Sequence, residues 1–176
     1  MQKKNPVFPS IRALTVAAML TATSVVVGIF CKNFLNFGMG LFRISFESFP
    51  IMLAGFLFGP WVGGFVGIAT DMISYLLSGQ IYPPNLIVTL GAFVIGFLSG
   101  LLFRLPIKQQ RLKIALSVSA AHLVGSMLIK TFGLYQYYGI AVLWRIPLYF
   151  AIALVEIILL CILLDRKSIR SLIEHI

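Results

Sequence analysis

Residues 41–79 read LFRISFESFPIMLAGFLFGPWVGGFVGIATDMISYLLSG, and residues 48–70 within them carry no charged side chain. Glycine recurs at every fourth position, and Asp71 stands one step further along the same series. The glycines are Gly55, Gly59, Gly63 and Gly67. On a helix this spacing lets a second helix approach closely. Pro60 interrupts the series, because its ring cannot continue a helix. The stretch therefore predicts a short helix ending near Phe58, a Gly-Pro turn, and a second helix that carries Asp71 into the membrane.

The composition of the whole chain is that of an integral membrane protein. Its mean hydropathy is +1.01 and 60% of its residues are hydrophobic, which argues against a soluble globular protein. The 176 residues have room for about six spans of some 20 residues each, joined by short loops. We expect an all-α integral membrane protein with six transmembrane helices in a single membrane domain, residues 1–176. The predicted spans are approximately 12–31, 46–58, 61–78, 85–103, 113–130 and 143–164, with a tyrosine-rich loop over residues 130–142.

The basic residues predict the orientation of these spans. The formal net charge is +9, but in a membrane chain basic residues chiefly set topology, so nucleic acid is not an expected partner. With both termini cytoplasmic, ten of the 14 basic residues fall on the inner side. Merging residues 48–70 and residues 72–103 into one span each would leave only five inside. The positive-inside rule therefore favours three helices over this long apolar stretch.

The first span follows Arg12 and is uncharged over residues 13–31. We interpret it as a mature helix and not a cleaved signal peptide, because its apolar core is too long and no A-x-A cleavage site closes it. It carries two overlapping small-residue pairs at i,i+4 spacing, Ala13/Ala17 and Ala18/Ala22. Spacing alone favours ordinary helix packing for both pairs.

The predicted outer half differs chemically from the inner half. All six tyrosines fall in outer loops or outer helix ends, where Glu47, Asp71 and four dispersed basic residues also lie. Charges of both signs beside aromatic faces suit a planar heterocyclic ligand with an anionic tail. The alternative is an interfacial aromatic belt with internal ion pairs, such as Asp71 with Arg145.

His122 and Glu156 fall at mid-depth on the last two spans. They predict either a buried pair that ties two helices together or a proton relay, and the first is favoured. We find no H-E-x-x-H motif, no G-x-S-x-G motif and no cysteine near a histidine. We therefore expect no enzyme, no catalytic residue, no metal and no cofactor.

Residues 43–71 resemble the S components of energy-coupling factor (ECF) vitamin transporters, which are small six-helix substrate-capture proteins. The pattern R-x-x-F-x-x-x-P-I, followed by G-x-x-x-G-P-x-x-G-x-x-x-G-x-x-x-D, is matched throughout. The alanine pairs resemble the A-x-x-x-A surface that S components present to the membrane-embedded T component. The resemblance therefore implies partner contacts for Ala13, Ala17, Ala18 and Ala22.

Within that family, R-I-S-F-E-S-F-P-I and L-W-R-I-P-L-Y, residues 143–149, most resemble the folate-specific members. A carboxylate such as Asp71 could accept the paired donors of a pterin edge, and outer cations could hold the glutamate tail. The candidate ligand-binding residues are Arg43, Phe46, Glu47, Asp71, Tyr75, Tyr82, Asn85, Lys130, Trp144 and Arg145.

The resemblance also implies partners and a location. No Walker A motif occurs, so ATP hydrolysis would come from two partner ATP-binding subunits acting through the T component. The expected location is the bacterial cytoplasmic membrane, with the lipid bilayer around a multi-pass chain. The alternatives are an S component for riboflavin, thiamine, biotin or pantothenate, a small structural membrane scaffold, and an intramembrane enzyme using His122.

Overall fold

The computed structural model describes residues 11–37, 42–78 and 84–165, and its regular elements are helices apart from one short strand pair. The α-helices are α1 (Ile11–Phe34), α2 (Ser48–Phe58), α3 (Pro60–Leu77), α4 (Leu86–Phe103), α5 (Gln110–Ala121), α6 (Thr131–Tyr138) and α7 (Arg145–Leu164). A π-helix (His122–Lys130) joins α5 to α6, and a 3-10 helix (Gly139–Trp144) joins α6 to α7. Strands β1 (Asn36–Phe37) and β2 (Phe42–Arg43) pair antiparallel over two residues each. The predicted all-helical class is confirmed.

The chain breaks between α2 and α3 at Gly59. This residue has φ 98°, a conformation that favours glycine, and Pro60 starts α3 at the position where a missing N–H does no harm. The Gly59 N–H donates to the carbonyl of Gly55 at 2.9 Å, which closes the end of α2. The guanidinium of Arg104 lies against Gly59 and donates to the Phe58 carbonyl at 3.4 Å. A side chain at residue 59 would therefore meet both backbone strain and a steric clash.

Helices α3 and α4 pack so closely that glycines are needed on both sides. A Cβ placed on Gly63 would lie 2.6 Å from the carbonyl oxygen of Gly96, and one placed on Gly67 would overlap the carbonyl of Ala92. The two helices are antiparallel, because residues later in α3 contact residues earlier in α4. We call this contact the glycine seam. Asp71 follows Gly67 by four residues and therefore lies on the same face of α3. The packing of the glycine seam thus determines the position of the Asp71 carboxylate.

The described helices show the apolar surfaces expected of a membrane protein. Three segments are long and apolar enough to cross a bilayer, namely Ile11–Phe34, Leu86–Phe103 and Gln110–Leu164, and Ser48–Phe58 is a shorter apolar helix. Large apolar side chains such as Phe65, Leu90 and Ile158 are exposed on the outside of the bundle. The core contains Ile51, Met52, Ile95, Ile114 and Leu160. Apolar residues on both the inside and the outside are typical of a bundle surrounded by lipid.

The segment Gln110–Leu164 is helical over 55 residues, and the predicted loop over residues 130–142 is wrong. At about 1.5 Å per residue a straight helix of this length would be roughly 80 Å long, far more than a bilayer core of about 30 Å. The chain reverses at Gly139, which has φ 57°, and α5 packs against α7. The helix continues past Lys130 because residues 131–138 contain no proline and because Gly133 packs against Ile87 and Val88 of α4.

Candidate ligand-binding cavity

A cavity of about 370 Å³ opens at one end of the bundle. It lies where α1, α3 and α6 end and where α2, α4 and α7 begin, so all of these termini contribute to its wall. Six of the ten predicted ligand-binding residues line it: Glu47, Asp71, Tyr75, Asn85, Lys130 and Arg145. These residues are separated by up to 98 positions in the sequence, and the antiparallel order of the helices brings them together.

The other four predicted ligand-binding residues do not reach the described cavity wall or cannot be placed. Phe46 is half-buried and is not part of the lining. Trp144 is mostly exposed and also lies outside the lining. Tyr82 and the side chain of Arg43 lie outside the described residues.

Glu47 and Lys130 form an ion pair on the cavity wall. Lys130 Nζ lies 3.2 Å from Glu47 Oε1, and the two side chains are only 9% and 17% exposed. Glu47 directly precedes α2, and its main-chain carbonyl accepts a hydrogen bond from the Ser24 hydroxyl of α1. A Cβ on Gly28 would lie 2.9 Å from Glu47 Oε2, so α1 carries a glycine where the carboxylate needs space. Each charge of this pair compensates the other in a place that water barely reaches.

Asp71 and Asn85 are held by α4 on the same side of the cavity. Asp71 Oδ2 accepts a hydrogen bond from Thr89 Oγ1 at 2.6 Å. Asn85 caps α4 by accepting from the Ile87 N–H at 3.0 Å, and its Nδ2 donates to the Gly133 carbonyl at 2.7 Å. The Asn85 amide therefore links α4 to α6, a structural role beside any role toward a ligand.

Arg145 brings a second buried cation to the cavity. It is the first residue of α7, and its guanidinium lies 5.1 Å from the ring centroid of Tyr138. A guanidinium above an aromatic ring gains from the negative face of the π-system, most strongly where water is excluded. Tyr75, Tyr138 and Tyr149 all line the same cavity. The wall thus combines carboxylates, cations and aromatic rings.

Most of the lining residues were not among the predicted ligand-binding residues, and His122 and Ser126 are two of those that sequence reasoning missed. Nε2 of His122 lies 2.5 Å from Glu156 Oε2, and its Nδ1 lies 3.2 Å from Ser126 Oγ. The pair joins the π-helix to α7, as the favoured interpretation expected, but the histidine also borders the cavity. The signal was present in the sequence, because His122, Ser126 and Lys130 are polar residues at successive intervals of four in an apolar segment.

The two alanine pairs of α1 face different surroundings. Ala13 and Ala17 are buried, at 6% and 5% exposure, whereas Ala18 and Ala22 are exposed. The first pair therefore packs inside the subunit, and only the second pair is available to another protein.

The chain matches the family model described as "ECF transporter, substrate-specific component" over residues 12–168. It is 32% identical over 73 residues to the folate transporter FolT of Clostridium novyi (strain NT), which covers 40% of this chain and 41% of that protein. It is also 34% identical over 61 residues to the uncharacterized MG098 homolog of Mycoplasma pneumoniae (strain ATCC 29342 / M129 / Subtype 1), which covers 35% of this chain and 12% of that protein. The chain thus aligns with less than half the length of both curated relatives.

Among solved structures, a crystal structure of FolT bound with folic acid has the same fold. The TM-score is 0.67 at 22% sequence identity, and the superposition covers 85% of this chain and 90% of the other. The family model covers residues 12–168, which is most of the chain. The protein therefore belongs to the substrate-specific components of ECF transporters.

Proposed function

We propose that this protein captures folate from outside the cell and delivers it to an ECF-type importer as its substrate-specific component. The observation that carries this proposal is the cavity, in which the Asp71 carboxylate, the buried Arg145 and several tyrosines face one space. A relative from Clostridium novyi is named a folate transporter, and the FolT of similar fold holds folic acid. The cavity volume lies within the range of about 300–1,000 Å³ that is usual for small-molecule sites.

The cavity offers a partner to each chemical part of folate. The pterin edge presents an amino group and a ring N–H, and a carboxylate can accept both in parallel, which is the role proposed for Asp71. Tyrosine rings such as Tyr75 and Tyr149 supply faces for the flat heterocycle. The glutamate tail is anionic, and Arg145 can bind one carboxylate with two N–H groups. Lys130 is already paired with Glu47, so its charge is available to a ligand only in part.

The topology and partners follow from the same proposal. Six spans with both termini in the cytoplasm place the cavity at the outer face of the bacterial cytoplasmic membrane, where it would meet the vitamin. Ala18 and Ala22 lie on the exposed face of α1, which suits contact with a T component. Two ATP-binding subunits would drive transport through that component.

Equilibrium binding in detergent tests the proposal. Isothermal titration of the purified protein with folic acid should show tight, saturable binding, while riboflavin, thiamine and pantothenate should show none. Tight binding of riboflavin without binding of folic acid would replace folate by another vitamin. A protein that binds none of the four would favour a structural scaffold.

A further inference from the structure

Three side chains form a hydrogen-bonded chain at the inner end of the cavity. Ser126 and His122 both line the cavity, and Glu156 of α7 lies behind the histidine. All three are buried, and His122 and Glu156 have almost no exposed surface. Ser126 lies four residues, roughly one helical turn, further into the bundle than Lys130. Any ligand that fills the cavity to its inner end would meet Ser126.

The directions of these hydrogen bonds depend on which groups of the chain carry protons. When Glu156 is ionised it can only accept, and a neutral imidazole then carries its proton on Nε2, the nitrogen that faces Glu156 Oε2. In the neutral ring Nδ1 is then an acceptor, and the Ser126 hydroxyl donates its hydrogen to it. In that state the hydroxyl hydrogen of Ser126 is already donated to His122. Ser126 Oγ can then only accept a hydrogen bond from a ligand in the cavity.

The backbone around Ser126 restrains this arrangement further. Ser126 lies within the π-helix, a conformation that is rare and often found at functional sites. The Thr131 hydroxyl donates to the Ser126 carbonyl at 3.2 Å, and this hydrogen bond stabilises the helical turn between the two residues. The backbone of Ser126 is therefore restrained before a ligand arrives.

The second oxygen of Glu156 argues against a purely structural pair. Glu156 Oε1 is buried and has no hydrogen-bond partner among the described residues. An ionisable residue at membrane depth with an unsatisfied oxygen is destabilising, and such residues are mostly retained at functional sites.

We propose that Ser126 contacts the ligand as a specificity-determining acceptor, taking a hydrogen bond from an N–H group of a heteroaromatic ring. In this proposal Glu156 is ionised and His122 is neutral, and the two are positioning residues that direct the hydroxyl hydrogen of Ser126 away from the ligand. This inference rests on the proposed function, since it concerns the ligand held in the same cavity. A ring that presents an acceptor at this point is rejected, because it would face the lone pairs of Ser126.

Two variants of equal shape isolate the hydroxyl. Ser126→Thr keeps it and Ser126→Val replaces it by a methyl group, so any steric effect is common to both. Folic acid should bind about tenfold more weakly to the Val variant than to the Thr variant, the change expected for one lost hydrogen bond. The matched control is Ser117, a buried serine that donates to the Lys113 carbonyl and does not line the cavity. Ser117→Thr and Ser117→Val should bind folic acid equally.

A double-mutant cycle tests the positioning role of Glu156. Glu156→Gln keeps the shape but offers both a donor and an acceptor to His122, so the tautomer is no longer fixed. It should weaken folic acid binding about threefold when Ser126 is present and should have no effect in the Ser126→Val background. A loss of equal size in both backgrounds would overturn the positioning role, because Glu156 would then act independently of Ser126.

The outcomes separate this inference from the proposed function. If the unaltered protein does not bind folic acid, the proposed function fails and the inference fails with it. If folic acid binds and the Thr and Val variants of Ser126 have equal affinity, the inference alone is overturned. Should the Val variant not fold, Ser126→Ala removes the hydroxyl without adding volume, and the same weakening of about tenfold relative to the unaltered protein is expected.

Discussion

Asp71 Oδ2 and Thr89 Oγ1 are 2.6 Å apart, and this hydrogen bond continues the register of the glycine seam. One helical turn before Asp71, Gly67 packs on the backbone of Ala92. At Asp71 and Thr89 the two helices are joined by polar side chains instead of backbone contact. The seam and the cavity are thus parts of one interface between α3 and α4. A change in the seam is expected to move Asp71, even though the seam itself does not line the cavity.

The first prediction concerns Asp71→Asn. If Asp71 accepts the paired donors of the ligand, the variant loses one acceptor and the charge, and folic acid affinity should fall by about 1–3 kcal/mol. The melting temperature without ligand should change little, because the Asn oxygen can still accept from Thr89. Both quantities are measured in the same detergent. An unstable apo protein that binds folic acid normally would instead assign Asp71 to an internal ion pair.

The second prediction concerns the glycine seam. Gly96→Ala places a methyl group against the backbone carbonyl of Gly63, which cannot move without separating the helices, so we expect destabilisation of about 1–3 kcal/mol. Gly28→Ala is the control, since its methyl group would meet the end of a side chain, Glu47 Oε2, and not the backbone. The melting temperature in detergent should fall clearly for Gly96→Ala and much less for Gly28→Ala. Equal falls would contradict the difference between a backbone and a side-chain neighbour.

The third prediction concerns the ion pair of Lys130 and Glu47. Lys130→Met leaves a poorly hydrated carboxylate without its cation, and the loss of stability should approach about 3 kcal/mol. Combining it with Glu47→Gln removes the uncompensated charge and should recover most of that stability. Thermal melting of the two single variants and the double variant measures the coupling. Additive losses would show that the two charges do not stabilise each other.

The fourth prediction concerns the exposed alanines of α1. Replacing Ala18 and Ala22 together by Trp should abolish folate uptake in cells that contain the whole transporter, because the bulky rings would block the T component. Folic acid binding by the isolated subunit should remain unchanged. Ala17→Trp is the control, because a buried alanine replaced by Trp overpacks the core and should lower the melting temperature of the subunit itself. Loss of binding in the Ala18/Ala22 variant would indicate that this pair also belongs to the subunit interior.

Much of the helical architecture could be predicted because its signals are local. An uncharged run, a Gly-Pro pair and glycines at every fourth position are properties of neighbouring residues, and each acts through backbone sterics. The helix is interrupted at Gly59 and Pro60, and the identities of these two residues are sufficient to predict the interruption. The helix through residues 131–138 was missed because tyrosines at a membrane interface suit a loop and a helix equally, and packing of Gly133 against α4 decides between them.

The sequence by itself determined that this is a helical membrane protein, because composition and hydropathy depend only on residue identity. Tertiary structure alone decided which residues share a cavity. Trp144 and Arg145 are neighbours in sequence, yet only Arg145 faces the cavity, since adjacent side chains on a helix point about 100° apart. Likewise, only the packing of α7 brings Glu156 against His122, 34 positions earlier in the chain. Such relationships depend on how helices pack against one another, which no local pattern contains.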